Sequence, residues 1–286
     1  MLYSDANAWR AAPHKRVMVY GMSGLGKTHM SKMLRDTGEW YHYTVDYRIG
    51  TRYMSEPIVD SCIKEAMKNP YLRDMLRSDA IYVAPNVHAH DLAAVSTYLG
   101  KPGNPAKGGL AFAEYTHRQQ QFRDAEELAL LDTKKFATRG EALYGYPHFI
   151  CDTGGSICEW VEADDDADVL MTALSKTCLP VWIKGDDAHT AELIQRFDKA
   201  PKPMAYQPEF LARAWGEYLS ENNTSEGDVD PDAFIRWTYA RALAHRQPRY
   251  ESMARWGVTV TADEVAQLKS AADFDVLIET ALTSIS

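Results

Sequence analysis

The stretch RVMVYGMSGLGKTHMSKML, residues 16–34, decides how the rest of the chain is read. An apolar run, Arg16 to Tyr20, leads into a glycine-rich turn. The turn opens a segment with Met30, Met33 and Leu34 at helical spacing. The expectation is a buried strand, a tight loop and an amphipathic helix running from about Lys27 to Asp36. Within the loop, Gly21-Met22-Ser23-Gly24-Leu25-Gly26-Lys27-Thr28 satisfies the pattern G-x-x-x-x-G-K-[ST] in the strand-to-helix context that gives it meaning. Glycines let successive backbone N–H groups curl around a phosphate with no Cβ in the way. The helix N-terminus adds unpaired donors and a positive dipole end. Lys27 neutralises charge between the β- and γ-phosphates, and the Thr28 hydroxyl can ligate Mg²⁺. Gly21 to Thr28, with His29 beside them, are the expected nucleotide-binding residues, and ATP and Mg²⁺ the expected cofactors.

The whole chain, 286 residues, is compatible with one large α/β domain carrying an insertion. Hydrophobic residues make up 45% and aromatic residues 11%, enough for a packed core. Lysine and arginine number 31 against 40 acidic residues, a net charge of −9, which disfavours extended nucleic-acid or anionic-membrane surfaces. Cys62, Cys151, Cys158 and Cys178 form no C-x-x-C pair and no metal-ligand spacing, a usage that fits small buried groups in a reducing cytoplasm. The N-terminus has no apolar signal core, and no run of 18 apolar residues occurs. A cytoplasmic protein with a small-molecule partner is the expectation, its oligomeric state left open.

Five apolar runs read as strands of a parallel sheet: 16–20, 41–46, 148–151, 180–184 and 257–260. Between the second and third lie about a hundred residues, far more than one crossover needs. Helical patterns over 55–69, 86–100 and 110–137 fill them. The expected organisation is a single domain over 1–286, a helical insertion over 55–145 that builds an acceptor pocket, and a candidate lid over 196–232. The loop 100–109, with Lys101 and Lys107, reads as a mobile surface loop rather than a second lid over the acceptor. His88 and His90 lack a third ligand of suitable spacing for a metal.

Four stretches, taken in order, resemble the shikimate kinase group of P-loop small-molecule kinases. YTVDYRIG (43–50) resembles the acidic motif after that group's second strand, with Asp46 and Ile49 matching. FICDTGGSICEW (149–160) resembles its Thr-Gly-Gly-Gly turn through Thr153, Gly154 and Gly155, with Ser156 in place of the third glycine. RFDKAPKPMAYQPEFL (196–211) resembles the lid, and RQPRYESMARWGVTV (246–260) is similar to the segment R-x-P-x-Y-x-x-x-A that precedes the last strand. There Arg246, Pro248, Tyr250 and Ala254 match. The resemblance covers both ends of the chain and skips the insertion. It implies a P-loop three-layer sandwich with a five-stranded parallel sheet flanked by helices, and transfer of a γ-phosphoryl group from ATP.

In that reading Asp46 orients the acceptor hydroxyl and takes its proton. Arg196 and Lys202 close over ATP and offset charge on the transferring group. Arg48, Arg52, Gly154, Gly155, Arg246 and Arg249 are the candidate acceptor-binding residues. The group's second acid, two positions before the Asp, is replaced by Thr44, and Asp152 is the carboxylate that can join Thr28 at Mg²⁺. The lid's second basic residue is Lys202, a poorer bidentate clamp than arginine. The alternatives are an ATPase that couples hydrolysis to a partner, a nucleotide sensor without transfer activity, or a kinase of a nucleic-acid or protein acceptor. A GTPase lacks its N-K-x-D motif here.

Overall fold

Apolar runs separated by helical stretches can bury both faces of a sheet only when the strands are parallel and the helices cross over between them. The chain folds that way. The computed structural model describes residues 2–88 and 92–285, so His90 lies outside the described residues. Its strands are β1 (Arg16–Tyr20), β2 (Trp40–Thr44), β3 (His148–Asp152), β4 (Leu179–Lys184) and β5 (Val258–Thr261). Each lies within two residues of an expected run. They form one parallel sheet in the order β2-β3-β1-β4-β5, flanked by helices: an α/β P-loop architecture.

The chain divides into two compact units, the first comprising Met1–Val45, Leu130–Ala200 and Arg236–Ser286, the second Asp46–Ala129 and Pro201–Ile235. The first holds the whole sheet. β1 hands over leftward to β2, whereas later crossovers step rightward. Because such crossovers are right-handed, the Lys27–Arg35 helix covers one face and the Thr133–Tyr144 helix, on the way from β2 to β3, the other. The carboxyl ends of the adjacent β1 and β3 therefore flank the crevice where ligands bind in open α/β sheets. The Thr133–Tyr144 helix belongs to this unit rather than to the insertion. Phe136 stacks on Tyr43 at 4.7 Å between ring centroids, and a Cβ on Gly140 would lie 2.8 Å from Cγ of Tyr41. Most of the stretch expected as an insertion, 55–145, falls in the second unit, whose first segment is Asp46–Ala129, while the Thr133–Tyr144 helix falls outside it. Cys151, Cys158 and Cys178 are buried as expected, and burial pushes the thiols of Cys151 and Cys158 up to about 12. Cys62 is exposed instead.

The second unit joins two distant segments around aromatic contacts. Phe112 stacks on Trp215 at 4.6 Å, and Trp215 meets Phe234 edge-on at 4.9 Å. The buried Gln119 fastens them: its Nε2 donates to the Met204 carbonyl at 2.8 Å and its Oε1 accepts from the Tyr206 N–H at 3.0 Å. The stretch expected as a lid is therefore partly pinned backbone, and much of it is the Pro208–Glu221 helix. The loop 100–109 is pinned as well. Asn104 N–H donates to the Val229 carbonyl at 2.8 Å, Lys101 pairs with Asp232 at 2.6 Å and Lys107 with Asp230 at 3.4 Å. Among the described residues, no helix is long and apolar enough to cross a membrane.

Gln119 uses both ends of its amide on backbone that an apolar residue could not bond. Gln119→Leu is expected to cost about 1–3 kcal/mol. The loss would be read as faster exchange of the Tyr206 amide hydrogen relative to the amides of β1.

Candidate functional site

β1 is the middle strand, and the loop that follows it starts at a close approach of backbone to backbone. Gly21 has φ +140°, and a Cβ there would sit 2.5 Å from the Ile183 carbonyl oxygen of β4. Only glycine fits. At the other end Gly26, in the left-handed region, turns the chain into the Lys27–Arg35 helix. Met22 and Leu25 are buried and anchor the loop, while Ser23, Gly24, Thr28 and His29 stay exposed. Lys27 is 7% exposed, and its Nζ donates to the carbonyls of Gly21 at 2.7 Å and Met22 at 2.8 Å. The ammonium thus lies folded against the loop's first two peptide units. The helix Asp187–Lys199 borders the same loop. A Cβ on Gly24 would lie 3.0 Å from Leu193 Cδ2 and 3.9 Å from Arg196 Nη1, so the Arg196 side chain reaches the loop. That guanidinium also pairs with Glu192 and is 62% exposed.

The turn after β3 is the second lip of the crevice. Thr153 is bound to β1 twice, its N–H and Oγ1 both donating to the Val19 carbonyl, at 3.2 and 3.0 Å. Gly155 lies against the phosphate-loop backbone, where a Cβ would stand 3.5 Å from Ser23 N and 3.8 Å from the Gly21 oxygen. The two glycine-bearing turns are therefore in contact. Asp152, 4% exposed, closes β3 with Val19 in register on one side and Thr44 on the other. His42 Nε2 lies 3.6 Å from Asp152 Oδ2 and 3.3 Å from Thr44 Oγ1. His42 escaped the reading of the sequence. The signal that could have found it is the period-two spacing of His42 and Thr44, which puts both on one face of β2.

Arg246, Arg249 and Tyr250 come from the Pro231–Met253 helix and turn to the segment after β3. Arg246 Nε donates to Glu159 Oε1 at 2.6 Å. Arg249 Nε donates to the Cys158 carbonyl at 2.6 Å and its Nη2 to the Val161 carbonyl at 2.9 Å. The Tyr250 hydroxyl donates to the Gly155 carbonyl at 2.5 Å. Glu159 was not singled out from the sequence, since nothing in its neighbourhood marks it as the partner of a residue so far along the chain. Burial pushes its carboxyl up, yet the Arg246 charge and the hydrogen bonds from His245 and Arg246 outweigh this and hold it below its ordinary value. Arg246, by the same pairing, is held above its own despite burial.

The remaining sequence-predicted residues lie in the second unit. Asp46 is half-buried in the short helix Val45–Arg48, which starts directly where β2 ends. A π-helical turn over Ile49–Tyr53 follows, closed by Met54 N–H donating to the Ile49 carbonyl at 2.8 Å. Such turns are rare and recur at functional sites. Arg48 sits 5.4 Å from the centroid of the Tyr53 ring, and Arg52 and Lys202 are exposed. Among the described residues, no group of three or more His, Cys, Asp or Glu side chains is placed to hold a metal ion.

The geometry at the two turns separates two glycines by their surroundings. Gly21→Ala is expected to prevent correct folding of the loop, because backbone fills the space. Gly155→Ala is expected to keep the melting temperature within about 2 °C, since its Cβ meets only ordinary contacts. Thermal melts of the two variants check this. A second expectation concerns acid. A carboxyl held below its ordinary value stabilises the fold fully above that value and loses the contribution as pH falls through the lowered one. Wild-type stability should therefore drop below about pH 4.5 more steeply than that of Glu159→Gln, measured by melts from pH 7 to 3.

No protein-family model matches the chain, and no curated protein matches it in sequence. Among solved structures it is similar to a shikimate kinase from Bacteroides thetaiotaomicron, a 1.7 Å crystal structure, at 15% identity over 95% of this chain and 96% of that one, with a TM-score of 0.40. A likeness at that level assigns neither activity nor substrate.

Proposed function

We propose that the chain is an ATP- and Mg²⁺-dependent phosphotransferase that moves a γ-phosphoryl group to a hydroxyl or phosphate oxygen of a small-molecule acceptor. The observation that carries this reading is the loop between β1 and the Lys27–Arg35 helix. Its glycines have φ values of 140°, 88° and 94° at Gly21, Gly24 and Gly26, and its lysine ammonium lies against the loop's own carbonyls. The residues present suit the group. A curled backbone with an exposed Ser23–Gly24 tip offers N–H donors to phosphate oxygens, and the helix behind it adds its positive end.

When bound, ATP supplies the phosphoryl group and Mg²⁺ screens its charge. In this reading Lys27 exchanges its two carbonyl partners for phosphate oxygens. Thr28 and Asp152 hold the metal, and Asp152, beside Thr44 in register, stands in for the acid that the resemblance leads one to expect at Thr44. Arg196 offsets charge at the loop, with Lys202 as its partner in the lid. Asp46 orients the acceptor hydroxyl and accepts its proton, while Arg48, Arg52 and the Gly154-Gly155 turn bind the acceptor. Arg246 and Arg249 serve the acceptor through the segment they hold. Little covalent chemistry is asked of the protein, so positioning and charge neutralisation set the rate.

The test is ADP release measured with and without a panel of phosphorylated and hydroxylated small molecules. Release that requires an acceptor supports the transferase, and equal release without any acceptor marks an ATP hydrolase instead. Lys27→Ala is expected to lower turnover by about 10²–10³-fold. Asp46→Asn is expected to lower transfer by about 10²–10⁴-fold and to leave MgATP binding as it was. Transfer unchanged in Asp46→Asn would remove that carboxylate from the reaction.

A further inference from the structure

Residues 246, 249 and 250 share one face of the Pro231–Met253 helix, at the i, i+3 and i+4 spacing that makes helical neighbours. All three point their polar ends at one segment, Gly155 to Val161. Tyr250 is the member that reaches furthest toward the phosphate loop. It is fully buried, and its hydroxyl donates to the Gly155 carbonyl at 2.5 Å. Its ring stacks on that of Tyr20, the last residue of β1, at 6.3 Å and 28° between planes. Tyr20 is followed directly by Gly21. One side chain therefore touches both the strand that feeds the phosphate loop and the turn that lies against it.

A peptide unit is planar and trans, so its C=O and N–H point in opposite directions. Holding the Gly155 carbonyl consequently fixes the direction of the Ser156 N–H. It also fixes the Gly155 Cα, whose absent Cβ would meet Ser23 N at 3.5 Å. Without the hydroxyl, the Gly154-Gly155 pair has the backbone freedom of two adjacent glycines to adopt other peptide orientations. Arg246 on Glu159 and Arg249 on the Cys158 carbonyl hold the segment just beyond and keep the helix in register with it.

We propose that Tyr250 is a positioning residue: its hydroxyl sets the Gly155–Ser156 peptide against the Ser23 amide of the phosphate loop, with Arg246 and Arg249 bracing the same segment. The link to nucleotide binding rests on the phosphotransferase reading, whereas the clamp itself does not.

Tyr250→Phe removes one oxygen and keeps the ring, so the fold is retained and the melting temperature falls by about 2–4 °C. Hydrogen exchange, followed by mass spectrometry on the whole chain, is expected to rise about tenfold in peptides covering 153–159 and 21–25 and to stay as in wild type in β4 and in the Ala271–Thr283 helix. Binding of MgADP, measured by calorimetry, is expected to weaken about five- to tenfold. Arg246→Lys should preserve both readouts where Arg246→Met does not. Exchange and MgADP affinity both unchanged in Tyr250→Phe would overturn the proposal, and so would exchange raised evenly over the first unit, which is the mark of a merely structural residue. Should the wild type bind no MgADP, the phosphotransferase reading falls, and the local exchange pattern alone decides whether Tyr250 holds the turn.

Discussion

The phosphate loop depends on a steric constraint at a single peptide. Where β1 ends, its backbone passes so close to the Ile183 carbonyl of β4 that no side chain fits at Gly21. The chain must leave the sheet there in a conformation open to glycine alone, and the following residues are thrown upward into the crevice at the carboxyl ends of the strands. The rest of the site is arranged around that exit. Thr153 ties β3 to β1 at Val19, one residue before the end of the strand, so the second turn starts level with the first. Contact between the two turns follows from parallel register and needs no further device.

The same register explains why the carboxylates are distributed as they are. In the parallel pair of β2 and β3, the residue opposite Thr44 on the neighbouring strand is Asp152. His42, two residues earlier on β2, shares that face and lies within 4 Å of Asp152. A buried carboxylate needs partners or a cation. The histidine and the threonine supply polar neighbours without adding a second negative charge beside it.

The sheet and the phosphate loop were legible in the sequence because each is written in consecutive residues. Alternation of apolar runs with helical spacing marked all five strands, and the glycine pattern marked the loop. What was not legible depends on partners far along the chain. Gln119 and Met204 are 85 residues apart, and Glu159 and Arg246 are 87 apart. No local spacing signals such pairs. For the same reason the place of the Thr133–Tyr144 helix was not legible: it has the composition of its neighbours, and contacts such as Phe136 on Tyr43 and Gly140 against Tyr41 assign it to the sheet. The resemblance singled out Arg246 within a motif. It could not show that the guanidinium turns inward to Glu159, because Glu159 lies outside every matched position.

That inward turn bears on why a charged pair stands where apolar side chains could pack. A buried ion pair rarely adds net stability over a well-packed apolar replacement, although removing one partner alone costs about 3–5 kcal/mol. Its contribution is directional. Apolar surfaces slide over one another with little change in energy, whereas a guanidinium on a carboxylate, a second on a backbone carbonyl and a phenol on a glycine carbonyl are satisfied together only in one register of helix against loop. Three such bonds within little more than one helical turn hold Gly155 to Val161 in a single position. Phosphoryl transfer tolerates little misplacement, since shifts of about 1 Å can cost orders of magnitude in rate. In the phosphotransferase reading, a segment that begins beside the Ser23 amide is where such rigidity matters most.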